Sequence, residues 1–359
     1  MQDAIARSYY NSTTDTWIDF YEIHIQKFKQ QIYPNLRPTN LVGYNGTSPG
    51  PTFRITKNRE AVIRFVNHND RPASIHLHGS YSRASFDGWA EDLINPGEYK
   101  DYYYPNSQPP RTLWYHDHAI HITALNTLSG QAGLYILSDA EEEARLALPD
   151  GVYEIPLVLQ SKQYQSDGDI VLPGQVQGAI YGDVIHVNGQ PWPYLHVEPR
   201  KYRIRILNAA VSRPFLLSVV PQAEGNNNRS VPMTMQVIAG DAGYFEAPVL
   251  TTSLYISMGE RFEVIVDFSP YAGAVILLKN ARDVFKALDF FGTDRVMQFR
   301  VSKNVASVRR NNWAPASIAR LDLPPIKSIV DRNFTFDRVY VVTNSYISLF
   351  LFVSVSESY

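Results

Sequence analysis

The chain of 359 residues contains no cysteine. No disulfide can form, so cysteine usage says nothing about the redox compartment, and no thiolate can serve as a metal ligand. A strong charge of either sign is also missing: 33 Lys and Arg stand against 35 Asp and Glu. That balance gives no electrostatic footprint for a nucleic-acid partner. Long hydrophobic runs are absent too. The apolar stretch from Tyr346 to Val355 is short and serine-rich, which does not suffice to span a bilayer. The first residues, Met1 to Trp17, are polar and lack an apolar core, so no signal peptide is read there. Four N-x-S/T triplets, at Asn11, Asn45, Asn228 and Asn333, are weak evidence of secretion, and the location stays unassigned.

What is present points to β structure. The composition is 45% hydrophobic and 19% charged, ordinary for a chain that buries real cores. Tyr, Phe and Pro are plentiful, at 23, 17 and 23, and favour strands joined by many turns. Alternation runs through Tyr21-Glu22-Ile23-His24-Ile25 and recurs at 153–159, 202–207, 214–220, 233–239, 262–268 and 274–278. Short strands at this spacing predict an all-β chain of tandem β-sandwiches. One helix is expected, from Ala140 to Leu148, acidic at its start and preceded by the capping candidates Ser138 and Asp139.

A repeat supports two sandwiches. Asn45-Gly46, with Pro49 and Pro51 behind it, leads to the strand Glu60 to Asn67. Asn188-Gly189, 143 residues later, with Pro191 and Pro193, leads to Lys201 to Asn208. Each strand carries the form apolar-Arg-apolar-apolar-Asn, and the offset is one domain length. The expected organisation is a first domain over 1–139, a linker over 140–150 and a second domain over 151–303. Residues 304–359 read as the start of a third domain followed by an aberrant tail.

Two histidine clusters carry the chemistry: Ser74-Ile-His76-Leu-His78-Gly79 and Trp114-Tyr-His116-Asp-His118-Ala119, with His121 nearby. They hold five of the nine histidines. Residues i and i+2 of a strand share a face roughly 6.6 Å apart, so each pair can ligate two neighbouring ions. Two such strands facing each other make a surface of four imidazoles, which suits copper, zinc, iron or nickel. A zinc hydrolase built on His-x-His would need a further ligand set and a well-placed carboxylate, and none stands out.

The motifs His76-Leu-His78-Gly79 and Trp114-Tyr-His116-Asp-His118-Ala119 resemble the first two copper motifs of multicopper oxidases. Their flanks agree, from Gly43-Tyr-Asn-Gly-Thr-Ser-Pro-Gly-Pro-Thr-Phe53 to Gly130-Gln-Ala-Gly-Leu-Tyr-Ile136. The His-Asp-His form is similar to the branch holding bilirubin oxidase, spore-coat laccase and phenoxazinone synthase. Val187 to Arg205 and Met258 to Asp267 resemble that branch's second domain. The resemblance implies cupredoxin-like Greek-key sandwiches, the first with half of a trinuclear copper site and the second without metal. It implies that His76 binds the type 2 copper and that His78, His116 and His118 bind the type 3 pair. It implies that Asp87, in Phe86-Asp87-Gly88-Trp89, supports proton delivery during O2 reduction; the plain reading of Asp87 is a turn residue before Gly88. The remaining histidines, His24, His68, His186 and His196, read as structural, and His121 as structural or supporting.

The chain also departs from the family. Blue copper needs a Cys thiolate with two histidines, so this polypeptide holds no type 1 copper and supplies half of the cluster's histidines. Residues Leu321-Asp-Leu-Pro-Pro325 and Asp331 to Phe336 look like a third-domain start, and the family pattern stops beyond Arg338. The expectation is a truncated laccase-like oxidase. Its complete form would oxidise small phenolic or related aromatic substrates with O2, coupling aromatic polyketides in pigment or secondary-metabolite formation. The alternative is an inactive copper-binding fragment or a module whose partner supplies the missing domain.

Overall fold

Alternating residues form strands wherever one face can be buried. In the computed structural model, residues 2–172, 179–222, 231–282, 284, 289–309, 311, 313 and 315–319 are described, with the backbone of 331–342 and 347–358. The first set of strands runs β1 (Arg7–Asn11), β2 (Thr16–Gln30), β3 (Thr39–Tyr44), β4 (Gly50–Thr56), β5 (Glu60–Asn67), β6 (Ile75–His78), β7 (Tyr99–Tyr104) and β8 (Arg111–Asp117). A short helix, α1 (Thr123–Ser129), then leads to β9 (Ala132–Ser138). Strands β1, β2, β5 and β7 pair in that order with β3 beside β2, and β4, β9, β8 and β6 form a second sheet. Inward residues of both sheets, among them Ile23, Phe65 and Tyr102 from one and Phe53, Leu77 and Tyr115 from the other, make a single core. Two faced sheets around one apolar layer are a β-sandwich.

Helix α2 (Ala140–Leu146) follows. Its predicted cap is present: the Asp139 side chain accepts a hydrogen bond from the backbone of Glu142, satisfying an otherwise unpaired donor of the first turn. The helix stops two residues earlier than expected because Ala147 adopts a left-handed φ of 53°. Helix α1 was not anticipated. It is about two turns long, and its N-cap, Ile122, makes no side-chain cap, so it lacks the usual start signal.

The second sandwich contains β10 (Glu154–Lys162), β11 (Val184–Val187), β12 (Gln190–Pro191), β13 (Tyr194–Val197), β14 (Lys201–Asn208), β15 (Phe215–Pro221) and β16 (Met235–Gly240). It continues through β17 (Gly243–Thr251), β18 (Leu254–Ile256), β19 (Arg261–Asp267), β20 (Val275–Asn280) and β21 (Arg295–Val301). One sheet runs β12-β11-β10-β14-β19-β16-β17 and the other β13-β21-β20-β15-β18, with a core of its own between them. Both sandwiches lie within one compact unit, 1–319, and 320–359 form a separate one. In that separate unit β22 (Asp331–Val342) and β23 (Ile347–Ser358) pair as an antiparallel hairpin. Residues 321–325, read above as a domain start, and the triplet at Asn228 lie outside the described residues.

The internal repeat is structural and not only textual. In the first sandwich the Asn45 side chain accepts from the His24 backbone, and in the second Asn188 accepts from Val158. Asn45 and Asn188 both sit at φ 52° and the glycine after each is also at positive φ, as an Asn-Gly hairpin turn requires. Strand β5 then lies parallel to β2, and β14 parallel to β10. The strands end on Asn67 and Asn208, each fully buried. Asn67 donates to the carbonyls of Arg71 and Ile94 and accepts from Asn69. Asn208 donates to those of Arg213 and Ile256 and accepts from Ala210. Replacing Asn208 by Ala strands three buried backbone groups and should cost on the order of 2 kcal/mol. Urea unfolding measures it, and a shift worth less than about 0.5 kcal/mol would show that the carbonyls find other partners.

Candidate metal centre

Strands β6 and β8 are neighbours in one sheet. This corrects the expectation of two facing strands. His76 lies directly opposite His116, and His78 opposite Trp114. Because Ile75, Leu77, Leu113 and Tyr115 point into the core, the residues between them, His76, His78, Trp114 and His116, stand on the sheet's outer face. His118 is one residue beyond the end of β8 and is placed by its backbone N–H, which donates to the Ser74 carbonyl at 2.7 Å.

The four expected histidines therefore meet. The His76 ring lies 5.4 Å from His78, 5.5 Å from His116 and 5.4 Å from His118, centroid to centroid. His78 is 5.6 Å and His118 is 6.0 Å from His116. Donor nitrogens of His76, His78 and His116 all fall within 4.8 Å of one another. His116 is buried, His76 and His78 are half-buried, and His118 is exposed, so the cluster opens to solvent on the His118 side.

Each ring is oriented by a second contact. His76 Nδ1 is 2.6 Å from the Asp87 carbonyl, and His116 Nδ1 is 2.8 Å from the Asp117 carbonyl. A carbonyl only accepts, so both Nδ1 atoms carry the proton and both Nε2 atoms keep the unprotonated lone pair that a metal needs, the usual way in which a second contact fixes a ligating imidazole. His78 turns the other way, with Nδ1 3.4 Å from Nε2 of His116. Burial lowers the His116 imidazole to about 3. Burial, with the Arg261 charge next, lowers His78 to about 4. Both are neutral near pH 7, with lone pairs available. A set of four imidazoles with no thiolate and free nitrogens fits copper or zinc.

Two glycines make the approach possible. Gly79 has φ +87°, and a Cβ there would fall 2.5 Å from the Arg261 guanidinium. Gly88 has φ +76°, and a Cβ there would fall 2.2 Å from the Ile75 carbonyl. The second close approach lays the loop of Asp87 along β6. The Asp87 carboxylate then sits 3.6 Å from His76 Nδ1 and about half exposed, so its carbonyl positions the ring while its side chain faces both ring and solvent.

Three contributors escaped the sequence reading. Trp114 stacks on His116 at 4.1 Å and on His78 at 5.3 Å. Asp117, between the two histidines, is fully buried and accepts from the backbone of Ser74 and of Ala119, each at 3.1 Å. Burial pushes its carboxyl up to about 7, against those two N–H groups. The third comes from the second sandwich. Arg261 donates to the Thr112 carbonyl on β8 and to that of Gly259, and pairs with Asp241. A Cβ added at Gly259 would lie 3.4 Å from the His78 ring and 3.7 Å from the Trp114 ring. Trp114 shares the strand and two-residue spacing of His116 but carries no ligand atom to mark it, while Asp117 and Arg261 act through contacts with segments distant in sequence. His121 is exposed, with φ 63°. His186 is buried and pairs with the Tyr164 hydroxyl at 3.0 Å.

Two family models, both described as multicopper oxidase, match this chain over residues 27–142 and 160–275. The chain is 48% identical to a bilirubin oxidase of Albifimbria verrucaria, over 89% of this chain and 56% of that protein. It is 35% identical to a laccase of Bacillus stratosphericus, over 88% of this chain and 68% of the laccase. Among solved structures it is similar to the McoA multicopper oxidase of Aquifex aeolicus. The TM-score is 0.73 at 28% identity, covering 86% of this chain and 66% of McoA. The chain thus spans little more than half the length of the bilirubin oxidase it matches.

Proposed function

Because the chain belongs to the multicopper oxidase family, we propose that His76, His78, His116 and His118 are its half of a trinuclear copper centre. His76 serves the type 2 copper, and His78, His116 and His118 the type 3 pair. The observation that carries this reading is the convergence of four imidazoles at the outer face of β6 and β8, with His76 5.4 to 5.5 Å from each of the other three and His116 5.6 Å from His78 and 6.0 Å from His118. Copper bound there would supply the one-electron chemistry by which the family reduces O2 to water.

The protein's own part is positional. The Asp87 and Asp117 carbonyls lock two rings with Nε2 unprotonated. Trp114 covers one side of His78 and His116, excluding water and preventing ring rotation. The half-exposed Asp87 carboxylate, 3.6 Å from His76 Nδ1, is placed to take a proton from solvent and pass it toward the site. In the assembled enzyme the electrons would come from a small phenolic or related aromatic substrate; coupling of aromatic polyketides in pigment formation is one such use.

The polypeptide of 359 residues has no Cys and hence no type 1 copper through which substrate electrons could enter. We therefore read residues 1–359 as a copper-binding unit whose turnover needs a type 1 copper supplied from outside these residues. Two measurements test this. Metal analysis after copper loading should find copper held by the chain, with anomalous scattering placing it at the four histidines. With copper and O2, turnover of a phenolic dye should stay at the level of free copper. Copper absent from the four histidines would sink the site assignment. Protein-dependent turnover would sink the dependence on an outside type 1 copper.

A further inference from the structure

A second pair of imidazoles lies on the other side of the first sandwich. His24 is on β2 between the inward-facing Ile23 and Ile25, so it projects from the outer face of the sheet that β6 and β8 do not belong to. His68 follows the last residue of β5, and its backbone N–H donates to the Ile25 carbonyl at 2.9 Å. The His24 backbone is held in turn by Asn45 at 2.7 Å. On these two fixed backbones the rings stack, with centroids 5.0 Å apart, and His24 Nδ1 comes within 2.9 Å of His68 Nε2.

We propose that His24 and His68 form a separate surface site for a borderline divalent cation, held most tightly as Cu2+. Two nitrogens each about 2.0 Å from one metal, at angles of about 90° to 110°, lie roughly 3 Å apart, which is the separation that the backbone imposes here. Imidazole pairs prefer Cu2+ over Ni2+ and Zn2+. The Glu22 carboxylate, 3.5 Å from His24 Nε2, favours a proton on that nitrogen and leaves Nδ1 free for the metal. Among the described residues the competing contact is the ring-to-ring hydrogen bond itself, between a half-exposed His24 and an exposed His68, and it is weak because water offers both nitrogens an equal partner.

The repeat supplies an internal control. The residues that occupy these two positions in the second sandwich, by the same backbone bonds, are Val158 and Ala209. Both are apolar and pack against Trp114, Ala132 and Leu134 of the first sandwich. The fold therefore accepts small apolar side chains at both places, and nothing in the scaffold demands two imidazoles. The site stands apart from the copper reading above, since it shares neither a ligand nor a sheet with it.

Zn2+ titration of the full chain tests the site, because calorimetry counts equivalents without redox chemistry. Wild type should bind one equivalent more than His24→Gln, His68→Gln or the double variant. In the His116→Gln variant that equivalent should persist. Crystals soaked in Zn2+ should show an anomalous peak between the His24 and His68 rings. Affinity at this site should fall at least tenfold in each single variant. An unchanged isotherm in the double variant, or no peak between the rings, overturns the proposal. Both side chains reach the surface, so circular dichroism should be unchanged; if one variant fails to fold, the other carries the comparison.

Discussion

Replacing Glu263 by Ala should destabilise the chain by about 3–5 kcal/mol, the loss typical of leaving buried charge without its partner. Glu263 is buried at the centre of an ionic network that ties the parts of the 1–319 unit together. Its carboxylate accepts from Arg203 Nε at 2.8 Å and from the Thr112 hydroxyl at 2.9 Å, and it pairs with Arg205. Arg203 also reaches Glu143 on α2 and Tyr244, while Arg205 reaches Glu154, which pairs with Arg54 of the first sandwich. Both Arg203 and Arg205 are 1% exposed. Without Glu263, two buried guanidinium groups face each other with one close carboxylate fewer. A total stability of roughly 5–15 kcal/mol for a folded protein makes such a loss large.

The pH dependence distinguishes a lost charge from a lost volume. Burial pushes the Glu263 carboxyl up, but Arg203 and Arg205 outweigh it and hold the group below its ordinary value. Burial opposes Glu154 in the same way, and Arg205 and Arg203 again prevail. A carboxyl whose folded pKa is depressed contributes fully above its unfolded value, about 4.3 for Glu, and loses that contribution as pH falls through the folded value. The stability gap between wild type and Glu263→Ala should be level near neutrality and close on acidification. Urea midpoints compared across pH measure it. A gap below about 1 kcal/mol at neutral pH, or one that widens in acid, contradicts the assignment.

This network also marks where the sequence stops being readable. The alternation Arg203-Ile204-Arg205-Ile206 looks like a strand with one wet face, and Ile204 and Ile206 do enter the core. The arginine face is dry because α2 and the first sandwich cover it, which no local pattern encodes. The same holds for β8, buried along its whole length, since its outer face meets the second sandwich. The paired Asn-Gly turns and the strands ending on Asn67 and Asn208 were legible as a repeat because each uses a local hydrogen-bond device that recurs in the sequence. His76 and His78 were legible because two-residue spacing on a strand fixes a common face; His118 lies past the end of β8 and reaches the cluster through its backbone bond to Ser74. How β6 and β8 meet was not legible, since spacing along one strand says nothing of its neighbour. His24 and His68, read as merely structural, are 44 residues apart and come together only through the parallel pairing of β2 with β5.

Asp117→Ala should weaken copper binding by roughly 10–100-fold, the usual cost of removing a group that orients metal ligands, while leaving both sandwiches folded. Asp117 binds no ring through its side chain. Its two carboxylate oxygens hold the backbone of Ser74, two residues before His76, and of Ala119, just after His118. Together with the bond from His118 to the Ser74 carbonyl, they pin the end of β8 to the start of β6. His116 keeps its strand register without them, but His118 lies beyond the ladder and has only this clasp. The truncation exposes two buried N–H groups at about 1–3 kcal/mol each, and the segment would relax to rehydrate them, carrying His118 away from His76. Asp117→Asn keeps one acceptor oxygen and turns an amide N–H toward the other donor, so its copper affinity should fall between those of wild type and the Ala variant. Chelator competition with all three proteins reads the affinities, and urea unfolding reads stability separately. A purely structural residue would lower stability and leave the copper affinity of the folded fraction unchanged; that outcome would remove Asp117 from the site. The graded order, wild type above Asn above Ala, is the signature of a residue that holds His118, beyond the end of β8, beside the start of β6.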